Sequence, residues 1–210
     1  VDPRGLLLDR YGMQSTHVPQ FGRPRWGFLL TSRGCPYRCT FCSPTLRQSF
    51  GRGFRGQSPD ALVADMTRLH VDFGINAVYF IDDVMTYDRD RTMAFAEAMI
   101  AAQLPMQFVV QTRPDLIDLP MLTALKRAGC AAIKMGVESG SDRVLKRIRK
   151  GVRRDRIAQA ARDVRAAGLN LTAYFMVGHP DETREDIEAT IELAGEVDAD
   201  MIQLAFHTPY

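Results

Sequence analysis

Three cysteines stand together in the stretch Arg33-Gly34-Cys35-Pro36-Tyr37-Arg38-Cys39-Thr40-Phe41-Cys42, at C-x3-C-x2-C spacing. Thiolates are soft ligands that suit iron–sulfur clusters and zinc. Three on one loop can grip a metal cluster and leave it one ligand short, which opens a place for a small molecule. A lone buried cysteine acts as a small hydrophobe, but that does not account for three beside Arg33 and Arg38. A structural zinc wants a fourth ligand, either Cys130 or a histidine. Cys130 follows Gly129 at a helix end and leads into a strand, which places it in the core, away from the loop. A redox pair of Cys39 and Cys42 leaves Cys35 without a role. An iron–sulfur cluster uses all three. His17, His70, His179 and His207 are scattered and read as structural or solvent-facing, with His207 lying past the last strand.

The other polar groups that could do chemistry recur just after apolar runs. Runs at 26–31, 77–81, 107–110, 131–137, 171–177 and 201–206 read as buried strands. Helical patterns lie between them. Ser58 and Pro59 open a helix that Gly74 closes, and others cover 91–103, 119–128, 157–167 and the stretch from 183 to about 194. Such alternation means a parallel sheet with right-handed crossovers. The cysteine loop, Asp82-Asp83, Arg113, Glu138-Ser139 and Gly178-His179-Pro180-Asp181-Glu182-Thr183 all follow strands. In a barrel those ends converge on one mouth, whereas a doubly wound sheet concentrates its site at one switch point. The expected fold is therefore α/β, a partial, open TIM-like (β/α)6 barrel. Gln111, Met135 and Tyr174 are candidates for its interior or its core. Each strand-end residue also has a plainer reading: a turn cap for the aspartates, a helix-start acid for Glu138, a surface salt bridge for Arg113, an ordinary turn for Gly178 and Pro180.

Residues 1–24 read as a lead-in, punctuated by Gly5, Gly12, Pro19 and Gly22, and 25–210 as the core domain. The chain begins at Val1 and its sixth strand has no helix after it, so it is expected to be excised from a longer protein and to stop inside the fold. A net charge of +2 gives no electrostatic case for nucleic acid or a membrane surface. There is no apolar run of about 18 residues. Four cysteines, three of them clustered, are not a secreted disulfide framework, and a soluble, cytoplasmic protein is expected. The basic runs 47–55 and 143–156 read as solvated faces rather than an RNA path.

The cysteine loop, with Phe41 before its last cysteine, resembles the signature of the radical S-adenosylmethionine (SAM) superfamily. Asp82-Asp83, Gly136-Val137-Glu138-Ser139-Gly140 and the segment 178–183 resemble that family's later motifs, in order. The resemblance runs from about residue 22 to the end. It implies an enzyme with a 4Fe–4S cluster on Cys35, Cys39 and Cys42, and SAM chelating the fourth iron through its amino and carboxylate groups. An electron from the cluster would then cleave SAM to methionine and a 5′-deoxyadenosyl radical. By the same resemblance Asp82 and Asp83 accept from the SAM ammonium, and Arg113 meets its carboxylate. Glu138 and Ser139 meet the ribose, while Phe41, Gly178 and Pro180 lie near the adenine. Arg33 and Arg38 would offset the cluster's charge.

Gly22-Arg23-Pro24, Thr31-Ser32-Arg33-Gly34-Cys35-Pro36, Phe80-Ile81-Asp82-Asp83, Lys134 to Gly140 and Thr208-Pro209-Tyr210 resemble the cobalamin-binding branch. There a cobalamin domain precedes the barrel, and residues 6–22 resemble the linker between the two. Cobalamin is thus expected through a domain absent from this chain. The first reading is cobalamin-dependent methyl transfer to an unactivated carbon. The alternatives are a cyclase or rearrangement enzyme and an RNA methylthiotransferase-like enzyme. Outside these stand an iron–sulfur electron carrier and a zinc-stabilised binding module. The partners expected are a small-molecule substrate and an electron donor of the flavodoxin or ferredoxin type, with neither nucleic acid nor membrane.

Overall fold

The structure is a computed structural model that describes residues 24–42, 51 and 53–208. Most of the lead-in, Arg47, Arg52, Pro209 and Tyr210 lie outside the described residues. Six strands form one sheet in the order β1-β4-β5-β6-β7-β8, and every neighbouring pair is parallel. These are β1 (Trp26–Leu29), β4 (Ala77–Phe80), β5 (Gln107–Thr112), β6 (Cys130–Glu138), β7 (Asn170–Val177) and β8 (Met201–Phe206). Parallel neighbours need a crossover. It is supplied by α1 (Pro59–Phe73), α2 (Arg89–Ala102), α3 (Leu119–Arg127), α4 (Asp142–Arg147) with α5 (Arg154–Ala166), and α6 (Arg184–Val197).

The helix ends follow their local chemistry. Ser58 accepts from the Ala61 N–H at the start of α1, and Gly74, at φ +62°, closes that helix with bonds to His70 and Leu69. Thr183 and Asp186 cap α6 reciprocally. The outer face of the sheet carries the core. Val78, Phe80, Phe108, Val110, Ile133, Met135 and Phe175 are buried with the helices in one cluster. The rings of Phe80, Phe95 and Phe108 meet at 5.3–5.8 Å between centroids, a spacing at which aromatic pairs attract. Met135 belongs to this outer core, not to the interior; strand parity puts it beside Ile133 and Val137. The inner face is more polar. Gln111, Lys134 and Thr172 share one register row there, and Val109 and Ala132 pack with Trp26 and Tyr79.

The sheet does not close: β1 and β8 are its two outer strands. The expected open barrel is therefore the fold found. Three local features differ from expectation. The run at 26–31 stops being sheet at Leu29, and β2 (Ser32–Arg33) pairs antiparallel with β3 (Arg55–Gly56) in a small ribbon. The basic segment contains the short helix α4. The helix expected from 157 begins at Arg154. Among the described residues no helix is long and apolar enough to cross a membrane.

Candidate active site

The cysteine loop leaves β1 and is clamped at its base by the β2–β3 ribbon. Gly34 has φ +88°, and a Cβ on it would overlap the Gly53 carbonyl oxygen. Only glycine fits this turn. At the far end, the Thr40 N–H donates to the Ile148 carbonyl at 2.9 Å, which ties the loop to the end of α4. Cys35, Cys39 and Cys42 all line one cavity of about 350 Å³, with Tyr37, Phe41, Tyr79, Ile81, Asp82, Asp83 and Gln111. None of the described cysteines is in a disulfide. Burial raises the Cys35 thiol above its ordinary range; a backbone hydrogen bond from Tyr37 opposes this and the nearby Asp83 and Cys39 add to it. Cys130 is buried at the start of β6, where burial pushes its thiol up to about 12. It is a core residue, as expected.

The aspartate pair divides its labour. Asp82 is buried and accepts from the Thr31 N–H at 3.2 Å, the Thr31 hydroxyl at 2.8 Å and the Ser32 hydroxyl. It pins the end of β1 to the end of β4 and so fixes the root of the cysteine loop. Asp83 faces the cavity, and burial raises its carboxyl, against a backbone hydrogen bond from Gly34. Arg113 is not on the surface. It is 5% exposed, paired in a fork with Asp115 at 2.9 and 3.1 Å and bonded to the Lys150 carbonyl. Its Nη1 lies 3.5 Å from Cys39 Sγ, and its guanidinium carbon 3.6 Å from the Tyr37 ring centroid. That places a fixed positive charge against the middle cysteine.

Glu138 sits at a bulge where β6 changes register against β7. Its φ is +71°, a left-handed conformation that costs about 1–3 kcal/mol for a side chain of this kind. Its carboxylate takes a buried ion pair with Lys150, Nζ to Oε1 2.7 Å. Gly136 makes room: a Cβ there would stand 2.7 Å from that oxygen and 2.9 Å from that nitrogen. Lys150 also lies 5.7 Å from the Phe41 ring centroid. Ser139 goes the other way. Its hydroxyl meets Thr190 at 3.1 Å and accepts from the Ser141 N–H, so it fastens β6 to α6 and does not reach the cavity.

Across the mouth, Gly178 has φ +82°. Its N–H and that of His179 donate to Glu182 at 2.5 and 3.2 Å, which holds the loop after β7 in a tight turn, with Pro180 exposed at its tip. His179 is 3% exposed, and neither ring nitrogen has a hydrogen-bond partner among the described residues. Its ring lies 6.4 Å from Phe41 and 5.1 Å from His207. Burial lowers its pKa, with the charge of Glu182 opposing, so the ring is neutral near pH 7. Phe41 thus lies between Lys150, the partner of Glu138 at the end of β6, and His179 just after β7. Lys150, Tyr37 and Tyr79 carried no local signal in the sequence, because their partners lie far along the chain.

Among the described residues no three histidine, cysteine or acidic side chains come close enough to hold a single metal ion. The three thiols are instead spread around a cavity large enough for a ligand. The profile of the radical SAM superfamily matches residues 29–194. The chain belongs to the radical SAM superfamily. Radical SAM members are enzymes that use a 4Fe–4S cluster and SAM, and these are its cofactors. The residues suit them: soft thiolates from one loop for iron, a cavity acid for an ammonium group, and unpartnered buried ring nitrogens for a polar ligand.

This radical SAM core is 34% identical to an uncharacterised methyltransferase of Pyrococcus horikoshii, over 98% of this chain and 42% of that protein. It is 29% identical to the anaerobic magnesium-protoporphyrin IX monomethyl ester cyclase of Cereibacter sphaeroides, over 85% of this chain and 29% of that one. The chain thus spans less than half the length of these relatives. Among solved structures it matches the cobalamin-dependent SAM radical enzyme OxsB, with aqua-cobalamin and SAM bound, at TM-score 0.73 and 27% identity, over 85% of this chain and 27% of that one. The radical SAM methyltransferase TsrM from Kitasatospora setae shares the fold at TM-score 0.79 and 19% identity, over 88% of this chain and 34% of that one.

Proposed function

We propose that this chain is the catalytic core of a cobalamin-dependent radical SAM methyltransferase acting on an unactivated carbon of a small molecule. The observation that carries the reading is the gathering of Cys35, Cys39 and Cys42 around one cavity with Asp83. In this reading the three thiolates hold the cluster. When bound, the cluster supplies the electron that cleaves SAM to methionine and a 5′-deoxyadenosyl radical. Arg113 neutralises charge at Cys39 and keeps the loop in place, and its fork is already engaged by Asp115, so it is not free to hold the SAM carboxylate. Asp83 accepts from the SAM ammonium, while Asp82 fixes the loop root. The Glu138–Lys150 pair presents a carboxylate oxygen to the ribose. Phe41, the Gly178 backbone and Pro180 border the adenine. The resemblance of residues 22–24, 31–36, 80–83 and 134–140 to the cobalamin-binding branch, and the likeness to OxsB with aqua-cobalamin bound, support cobalamin as a further cofactor. An external donor of the flavodoxin or ferredoxin type supplies the electron, and the protein works in the cytoplasm.

In this reading the basic segment 143–156 is a solvated face rather than an RNA path. Arg143 pairs with Asp186, Arg147 with Asp181, Arg153 with Asp142 and Arg154 with Glu192 and Glu196, so its charge is largely answered within the chain. A ring-forming reaction is a second reading, favoured by the likeness to the cyclase. The test is anaerobic reconstitution of the full-length protein with iron, sulfide and cobalamin, followed by reduction with SAM. Methyl transfer forms S-adenosylhomocysteine as well as 5′-deoxyadenosine; ring closure forms only the latter. Absence of both products would reject the enzyme reading.

A further inference from the structure

Among the described residues, the inner face of the sheet holds a cation with no acid beside it. Lys134 lies midway along β6, between Gln111 of β5 and Thr172 of β7 in the register, and its side chain is buried. Nζ stands 4.5 Å from the Tyr79 ring centroid and 5.9 Å from that of Tyr174. Among the described residues it makes no ion pair and no hydrogen bond. The other buried cations are answered: Arg113 by Asp115, Lys150 by Glu138. Ring faces attract a cation but do not replace the water it has lost. The structure therefore places a buried ammonium between two aromatic rings, with no counter-charge among the described residues.

The surroundings say where that charge would sit. Tyr79 and Gln111 both line the cavity beside the cysteine loop. The Tyr79 hydroxyl donates to Gln111 Oε1 at 3.0 Å, which uses the amide's acceptor. No acceptor among the described residues takes the amide N–H groups of Gln111. Lys134 and Gln111 thus offer donors side by side, with no acidic side chain paired to either.

We propose that Lys134, with the Gln111 amide, binds an anionic group of the substrate, a carboxylate or a phosphate, on the inner face of the sheet. The inference rests on the reading of this cavity as the active site and adds the substrate's chemical class to it. Burial lowers the ammonium to about 8, so it is still mostly protonated at neutral pH and able to meet an anion.

The test uses the full-length protein and needs no cofactor chemistry. Lysines are acylated with N-acetoxysuccinimide and read by mass spectrometry, with inorganic phosphate, with benzoate, and with potassium chloride at matched ionic strength. Phosphate or benzoate is expected to slow acylation of Lys134 by about fivefold or more, as a directly bound anion shields the amine, and to leave the exposed Lys126 and Lys146 unchanged. Protection by only one probe identifies that group as the one recognised. In calorimetry Lys134→Met should weaken the protecting anion by about tenfold or more, while Lys134→Arg keeps it within about threefold. Lys134→Met should melt no lower than wild type, because it removes an unpaired buried charge; a lower melting point would mark the lysine as structural and overturn the proposal. Protection by neither anion, or unchanged affinity in Lys134→Met, would also overturn it. Formation of 5′-deoxyadenosine is scored separately. Its absence with protection intact removes the radical reading and leaves the anion site; its presence without protection does the reverse.

Discussion

Replacing Lys150 by methionine tests how the ribose-side acid is held. The ion pair is direct, Nζ to Oε1 2.7 Å, and the side chains of Lys150 and Glu138 are 5% and 9% exposed. Removing one partner of a buried pair leaves the other charge without compensation and costs about 3–5 kcal/mol. In a domain of this size each kcal/mol moves the melting point by about 2–4 °C, so a fall of about 6–20 °C is expected. Glu138→Gln in the same background removes the stranded charge and should recover more than half of the loss. The measurement is thermal unfolding followed by far-ultraviolet circular dichroism on wild type, both single variants and the double variant, so that the cycle isolates the coupling. If Lys150→Met melts within about 2 °C of wild type, or if the double variant is no better than the single, Glu138 is not held by burial and pairing, and its left-handed backbone needs another cause.

Cys39→Ala should abolish iron binding on reconstitution, whereas Cys130→Ala, buried at the start of β6, should leave the iron content unchanged; iron and sulfide assays read both. Gly34→Ala forces a Cβ into the Gly53 carbonyl at φ +88°, so the loop must shift; the iron bound per chain should fall, and the fold should lose about 1–3 kcal/mol in urea titration. Lys134 has its ammonium lowered to about 8 from 10.5. The unfolded chain then holds more protons than the folded one between those values, so stability owed to this residue rises with pH from about 8 to about 10. Burial raises the hydroxyls of Tyr79 and Tyr174, which moves their ionisation upward, away from that window. Any gap in melting point by which Lys134→Met exceeds wild type at pH 7 should narrow by pH 10, and a constant gap would contradict this.

The strand–helix alternation was legible because each element carries its own period and punctuation: Ser58 before α1, Gly74 after it, apolar runs at each parallel strand. The cysteine loop was legible because its ligands are neighbours in sequence. What could not be read depends on distant partners. The two-residue strands of the β2–β3 ribbon have no period to detect. Arg113 looks like any polar residue after a strand until Asp115, Tyr37 and Cys39 surround it. Ser139 follows Glu138 directly, yet a bulge and the approach of α6 turn the two in different directions. Lys150 lies within a basic segment whose other members are mostly at the surface, and only the fold brings it near Phe41.

The open edge of the sheet has a mechanical meaning. In a closed barrel, strand number and stagger fix the radius. This sheet has two free margins, β1 and β8, so no such equation sets its curvature. On the outer side of β8, Ile202, Leu204 and Phe206 are exposed among the described residues, Phe206 to 77%. β8 leads directly to His207, whose ring faces His179. The outer margin of the sheet and the rim of the mouth are thus a single residue apart, so the two share one boundary.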